Sequence, residues 1–171
     1  MSTLVYVGAN VGGSLWSMFQ QYDSVYVFEP NPEIFSQLKN TYNAYGWVNL
    51  VNAACSESNG KAKFYVTPNS VSSSLNIVST STHPEDHPQR NFKEIEVNTI
   101  NLYDYLTEAG VDYIDYYLSD AQGSDLNILK TLTPFIDNMH ASLGRLGDKK
   151  VEEGDIPEGE YEWDSLWSVK N

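Results

Sequence analysis

The sequence predicts an α/β protein with a mostly parallel central sheet flanked by helices, and three observations predict it. Short runs of β-branched and aromatic residues recur at Leu4–Val7, Ser24–Phe28, Val48–Val51 and Tyr113–Leu118. Segments with apolar residues at helical spacing separate several of these runs. The first run ends in a glycine-rich turn, Gly8-Ala9-Asn10-Val11-Gly12-Gly13, and the second ends in an acid, Glu29. Strands that alternate with helices favour crossover units and parallel pairing.

The elements follow in order. Leu4-Val5-Tyr6-Val7 is an unbroken apolar run and reads as a buried strand. The turn after it is rich in residues that tolerate positive φ. Ser14 is placed to cap a helix with Leu15, Met18 and Phe19 on its inner face. Pro32 suits the first position of a second helix, whose apolar face is Ile34, Phe35 and Leu38. Lys61–Val66 and Glu94–Val97 alternate and read as strands, and Leu102, Tyr105 and Leu106 mark a short helix. Leu126, Ile128, Leu129 and Leu132 mark another helix, which ends near Pro134. Residues 67–91 form a long polar loop, and the pattern fades in residues 140–171. His140–Gly144 is a poor strand former, so the C-terminal strands are expected to be reduced or divergent. Leu166 and Trp167, with Trp163, offer a final strand or an aromatic anchor. No linker or repeat divides the chain, so residues 1–171 are expected to form a single domain.

Composition narrows the partners. The 171 residues carry 10 Lys and Arg against 23 Asp and Glu, a formal charge of −13. Nucleic acid and anionic lipid are disfavoured by such a surface, because both need clustered cations. A neutral or cationic small molecule, or a carbohydrate, is the expected partner. The single cysteine, Cys55, allows no intrachain disulfide and no Cys-x-x-Cys zinc site. No signal-peptide pattern and no membrane-length apolar run is present, so a soluble cytoplasmic protein is expected.

The chemistry is carried by a strand, a glycine-rich turn and a second strand that ends in an acid. Glycines let a ligand approach the backbone closely, and a carboxylate about 20 residues on accepts both ribose hydroxyls of a nucleoside. Gly8, Gly12 and Glu29 supply these parts. The alternative is a set of turn glycines plus a surface glutamate.

These residues resemble a known family. Val7-Gly8-Ala9-Asn10-Val11-Gly12 and Phe28-Glu29-Pro30-Asn31-Pro32 are similar to two motifs of the FkbM-type methyltransferases. The resemblance continues in order through Val51-Asn52-Ala53-Ala54, then Gly60 and Phe64, then Ser73-Ser74-Leu75, then Val97–Leu106. Asp120-Ala121-Gln122-Gly123-Ser124-Asp125 resembles the family's Asp-x-Glu-Gly-x-Glu segment. The resemblance implies a Rossmann-like class I methyltransferase fold, S-adenosyl-L-methionine as cofactor and O-methylation of a sugar, glycan or small molecule. It places Gly8, Ala9, Asn10 and Gly12 at the methionine part, Glu29 and Pro30 at the ribose, and Asn52 and Ala53 near the adenine. Ser73 joins the cofactor site. Asp120 and Gln122 face the transferred methyl and its acceptor, with Asp120 as the candidate base.

The chain departs from the family in three places. Tyr6 stands where an acid is common, Gln122 replaces a Glu and cannot accept a proton, and Asp125 is one methylene shorter. The weak C-terminal pattern leaves open a minimal domain, a truncated one or one completed in a homo-oligomer. Three other features read as structural. His83 and His87 share a segment with Pro84 and Pro88, which break the helix that metal ligation at that spacing needs, so no metal is expected. Cys55 reads as a small core residue, and Trp47, Trp163 and Trp167 as packing aromatics. Asp112 and Asp115 read as solvent-facing at the start of a strand.

Three functional readings remain. A methyltransferase is the first. A non-catalytic S-adenosylmethionine or nucleoside binder is the second, favoured by Tyr6 and Gln122. In that reading Asp120 merely caps the following helix. A nicotinamide-dependent oxidoreductase is the third, but the turn lacks the Gly-x-Gly-x-x-Gly spacing.

Overall fold

The central strands are apolar at consecutive positions because both faces of the sheet they form are covered. The computed structural model of the protein describes residues 1–68, 73–76, 91–143 and 165–168. Strand β1 (Thr3–Val7) is buried at every position, and β2 (Ser24–Phe28) at all but its first. Successive strand side chains point to opposite faces. Val5, Val7, Tyr26 and Phe28 therefore pack with Leu102, Leu106 and Ile128 on one side. Leu4, Tyr6, Val25 and Val27 pack with Leu15, Phe19, Leu38 and Tyr42 on the other. Each fully buried Leu or Phe contributes about 1.5–3 kcal/mol.

The remaining elements are α1 (Pro32–Tyr42), β3 (Val48–Val51), β4 (Ala54–Ser56), β5 (Gly60–Val66) and β6 (Lys93–Asn101). They continue with α2 (Leu102–Glu108), β7 (Tyr116–Ser119), α3 (Asp125–Thr131), β8 (His140–Leu143) and β9 (Ser165–Ser168). The larger sheet runs β3-β2-β1-β7-β8-β9. All of its pairs are parallel except β8 with β9. The order reverses between β1 and β7, which sets up a crevice at their C-terminal ends. Helix α1 is entered through Asn31, whose side chain accepts the Glu33 N–H at 3.0 Å, with Pro32 in the first turn.

The Lys61–Val66 and Glu94–Val97 runs do not join this sheet. They pair with each other, antiparallel, in a three-stranded sheet ordered β4-β6-β5. One face of that sheet is exposed, which explains their alternation. Its Lys61–Glu96 and Lys63–Glu94 pairs, at 2.6 and 2.9 Å, lie in solvent and add little stability. The chain crosses between the sheets at Asn52 and Ala53. The Asn52 amide donates to the carbonyls of Glu29 at 2.8 Å and Pro30 at 3.1 Å, which ties the crossing to the end of β2.

The structure corrects several expectations. The helix after Ser14 is replaced by two 3₁₀ turns, Leu15–Ser17 and Phe19–Gln21, and Ser14 makes no side-chain cap. The Ser17 hydroxyl bonds the Ser14 carbonyl at 3.0 Å, a local bond that competes with a helical ladder. Leu15 and Phe19 are still buried, because either conformation presents them inward. The Tyr113–Leu118 strand begins only at Tyr116. Asp115, expected in solvent, is half-buried and accepts the Thr3 N–H at 2.6 Å. His140–Leu143 forms β8 after all, held by ladders to β7 and β9, and non-local pairing overrides its weak propensity. Trp163, His83 and His87 lie outside the described residues. Among the described residues, no helix is long and apolar enough to cross a membrane.

Candidate active site

Open parallel sheets bind ligands beyond the C-terminal ends of their strands, where the strand order reverses. Gly8 follows β1, Glu29 follows β2 and Asp120 follows β7, and all three line one cavity of about 290 Å³. Ala9, Asn10, Pro30, Ala53 and Ser73 line it as well. Gly12, Asn52 and Gln122 do not.

Gly8 has φ +72, and a side chain there would strike the Asp120 backbone. Its N–H and that of Ala9 both donate to the Phe28 carbonyl, at 3.0 and 3.1 Å, so the turn folds back over the end of β2. Gly12, at φ +81, lies under α1, where a Cβ would come within 2.5 Å of the Tyr42 ring. The Tyr42 hydroxyl donates to the Gly12 carbonyl at 2.6 Å. The role of Gly12 is thus to bring turn and helix together.

Glu29 is only 6% exposed although its side chain is charged. One carboxylate oxygen accepts the Asn10 N–H at 2.9 Å and the other the Asn31 N–H at 2.8 Å. Burial pushes the carboxyl above its ordinary value, and the two N–H groups work against that rise. A carboxylate has about four lone-pair sites, so two remain for a ligand.

Tyr6, which stands where an acid is common in the family, also lines the cavity. Burial raises its hydroxyl's pKa, Ser14 opposes the rise, and the charges of Asp120 and Glu29 add to it. The group is a neutral phenol at physiological pH. Cys55, Phe64, Leu75 and Ser124 complete much of the wall and were missed as site residues. Cys55 and Phe64 come from the second sheet, Leu75 from the segment after β5 and Ser124 from the N-cap of α3.

Asp120 is exposed at the rim, and the Gln122 amide donates to it at 2.5 Å. It does not cap α3. Asp125, the first residue of α3, is 8% exposed and accepts from the Ser119 hydroxyl at 2.5 Å and the Ala121 N–H at 2.7 Å. The shorter acid is the residue that organises the turn. No group of three or more metal-ligating side chains occurs among the described residues.

Three comparisons bear on this site. A sequence model described as the methyltransferase FkbM domain matches residues 7–158. No curated protein matches the chain. Among solved structures, the chain is similar to methyltransferase FkbM from Methylobacillus flagellatus KT, with a TM-score of 0.56 at 15% identity. The match covers 84% of this chain and 32% of that one. At that identity the likeness establishes the fold, a parallel sheet flanked by helices.

Proposed function

The chain belongs to the FkbM methyltransferase domain family, and from that premise we propose that its cavity binds S-adenosyl-L-methionine and serves methylation of a hydroxyl on a sugar, glycan or small molecule. One observation carries this reading. Gly8, Glu29 and Asp120, which end three neighbouring parallel strands, converge on a single cavity. The lining residues fit such a cofactor. The charged residues among them are Glu29 and Asp120, both acids, which suits a ligand with a cationic sulfur. Glu29 keeps lone pairs for two ribose hydroxyls. Ala53, Cys55 and Phe64 offer an apolar wall for a base.

S-adenosylmethionine would supply an electrophilic methyl group on a sulfonium sulfur. The protein's part is alignment of an acceptor oxygen with that methyl, and removal of the acceptor's proton. In this reading Asp120, exposed at the rim, takes the proton. The Gln122 amide donates to Asp120 and fixes its orientation at the rim.

Calorimetric titration with S-adenosylmethionine, S-adenosylhomocysteine and NAD tests the reading. Saturable binding of the first two is expected. Binding of NAD alone would overturn it. Binding of S-adenosylmethionine without turnover on a panel of hydroxyl acceptors would favour a non-catalytic binder instead.

A further inference from the structure

Two non-glycine residues among those described have positive φ: Asn10 at 52° and Gln122 at 49°. Asn tolerates this region well, and the Asn10 side chain satisfies the next N–H at 2.7 Å. Gln has no such local remedy. Gly123 continues the turn at φ 96°, a region glycine enters freely, so the unfavourable backbone conformation is that of Gln122. Such a geometry persists only where its surroundings hold it.

The surroundings are unusual in their origin. The Ser74 hydroxyl donates to the Gln122 carbonyl at 2.8 Å, across 48 residues of sequence. The Asn76 amide donates to the Ser124 hydroxyl at 3.2 Å. Ser74 is 5% exposed, and its backbone is bonded both ways to Tyr65 of β5, at 2.8 and 3.1 Å. Its oxygen also accepts the Asn76 N–H at 3.0 Å. A Cβ on Gly123 would lie 3.2 Å from the Asn76 amide nitrogen, so the two segments are in close contact. On the other flank, Asp125 accepts from the Ala121 and Gly123 N–H groups, at 2.7 and 3.4 Å.

We propose that Ser74 and Asn76 are positioning residues that hold the Gln122–Gly123 turn in its left-handed form, so that the Gln122 amide meets Asp120. The small sheet thereby sets the orientation of the acid at the rim of the large one. Ser73 and Leu75, the neighbours of Ser74, line the cavity wall. The same tie that orients Asp120 thus also places part of that wall. Gln122 fills this role as an amide, because a carboxylate there would repel Asp120 at neutral pH. The replacement of Glu by Gln, read from sequence as a loss, is a gain of a donor.

The significance of the tie for methyl transfer rests on the proposed function, but its existence is tested without any ligand. In the whole protein, the Gln122 side-chain amide gives an NMR signal sensitive to its bond with Asp120. Ser74→Ala is expected to move that signal toward the solvent-exposed position seen in Asp120→Ala. It is also expected to speed amide exchange at Ser124 about tenfold or more, with β1 and β2 unchanged. Ser74→Thr retains the hydroxyl and is expected to restore both. If Ser74→Ala does not fold, Asn76→Ala removes the other tie and is expected to shift the same signals. An unmoved Gln122 signal in the folded variants overturns the proposal, whatever the titrations with S-adenosylmethionine show.

Discussion

The Cα of Gly8 faces the backbone of Asp120 so closely that a Cβ would come within 2.8 Å of the Asp120 carbonyl carbon, and closer still to its oxygen. The Asp120 N–H donates to the Val7 carbonyl at 3.0 Å, so the two strand ends are laced together where they open toward the cavity. Gly8→Ala therefore must part β1 from β7 as well as strain φ. The expected loss is at least about 1–3 kcal/mol of stability, as for overpacking elsewhere, together with loss of cofactor binding. Urea unfolding beside a binding titration checks both, and full stability would place the turn differently.

Glu29→Ala is expected to weaken S-adenosylmethionine binding by about 1.5–3 kcal/mol, the range for hydrogen bonds to a charged group. Stability falls as well, because the Asn10 and Asn31 N–H groups lose their acceptor. Calorimetry on the folded variant decides the assignment, and unchanged affinity counts against it.

The same residue has a pH signature. Burial raises its folded-state pKa above the ordinary 4.5, so the folded protein holds this proton more tightly than the unfolded chain. The resulting stability is fully present below 4.5 and is lost as pH rises through the raised folded value. This is opposite to a salt-bridged acid. Between neutral pH and 4.5, acidification is expected to favour the wild type relative to Glu29→Gln. Thermal melts of the pair across that window measure it, and a constant gap would contradict the burial argument.

Asp120→Asn separates base from bystander. Asn at 120 keeps a side-chain oxygen that can accept from the Gln122 amide, so stability should be nearly unchanged. Turnover on any accepted hydroxyl is expected to fall about 100-fold, the scale of general-base loss, with cofactor affinity within a few fold. Equal rates in the two proteins would remove Asp120 from the chemistry.

Much of this was legible from local pattern. The Leu4–Val7 and Ser24–Phe28 strands, the turn at Gly8 and the helix at Pro32 are written in contiguous residues, and the structure has them there. What sequence reading missed depends on partners far along the chain. Val48–Val51 and Ala54–Ser56 belong to different sheets, yet only Asn52 and its bonds to Glu29 and Pro30 mark the crossing. β8 exists because β7 and β9 flank it. Among the site residues, Gly8, Glu29 and Asp120 stand at strand ends that periodicity can find. Cys55 and Phe64 reach the cavity only once the smaller sheet has docked. The helix expected at Ser14 failed because Leu15 and Phe19 need only face inward, and 3₁₀ turns suffice for that.

A guest in the cavity would touch Gly8 and Glu29 from the larger sheet, and Ala54 and Phe64 from the smaller, at the same moment. Its occupancy then acts as a weld. At about a hundred times its Kd, a ligand specific to the closed form adds about 2.7 kcal/mol against any opening that separates the halves. The two sheets would unfold as one unit when the guest is abundant and more independently when it is scarce. Fold cooperativity would then depend on the concentration of the guest, and resistance to proteolysis would report how much of it is present.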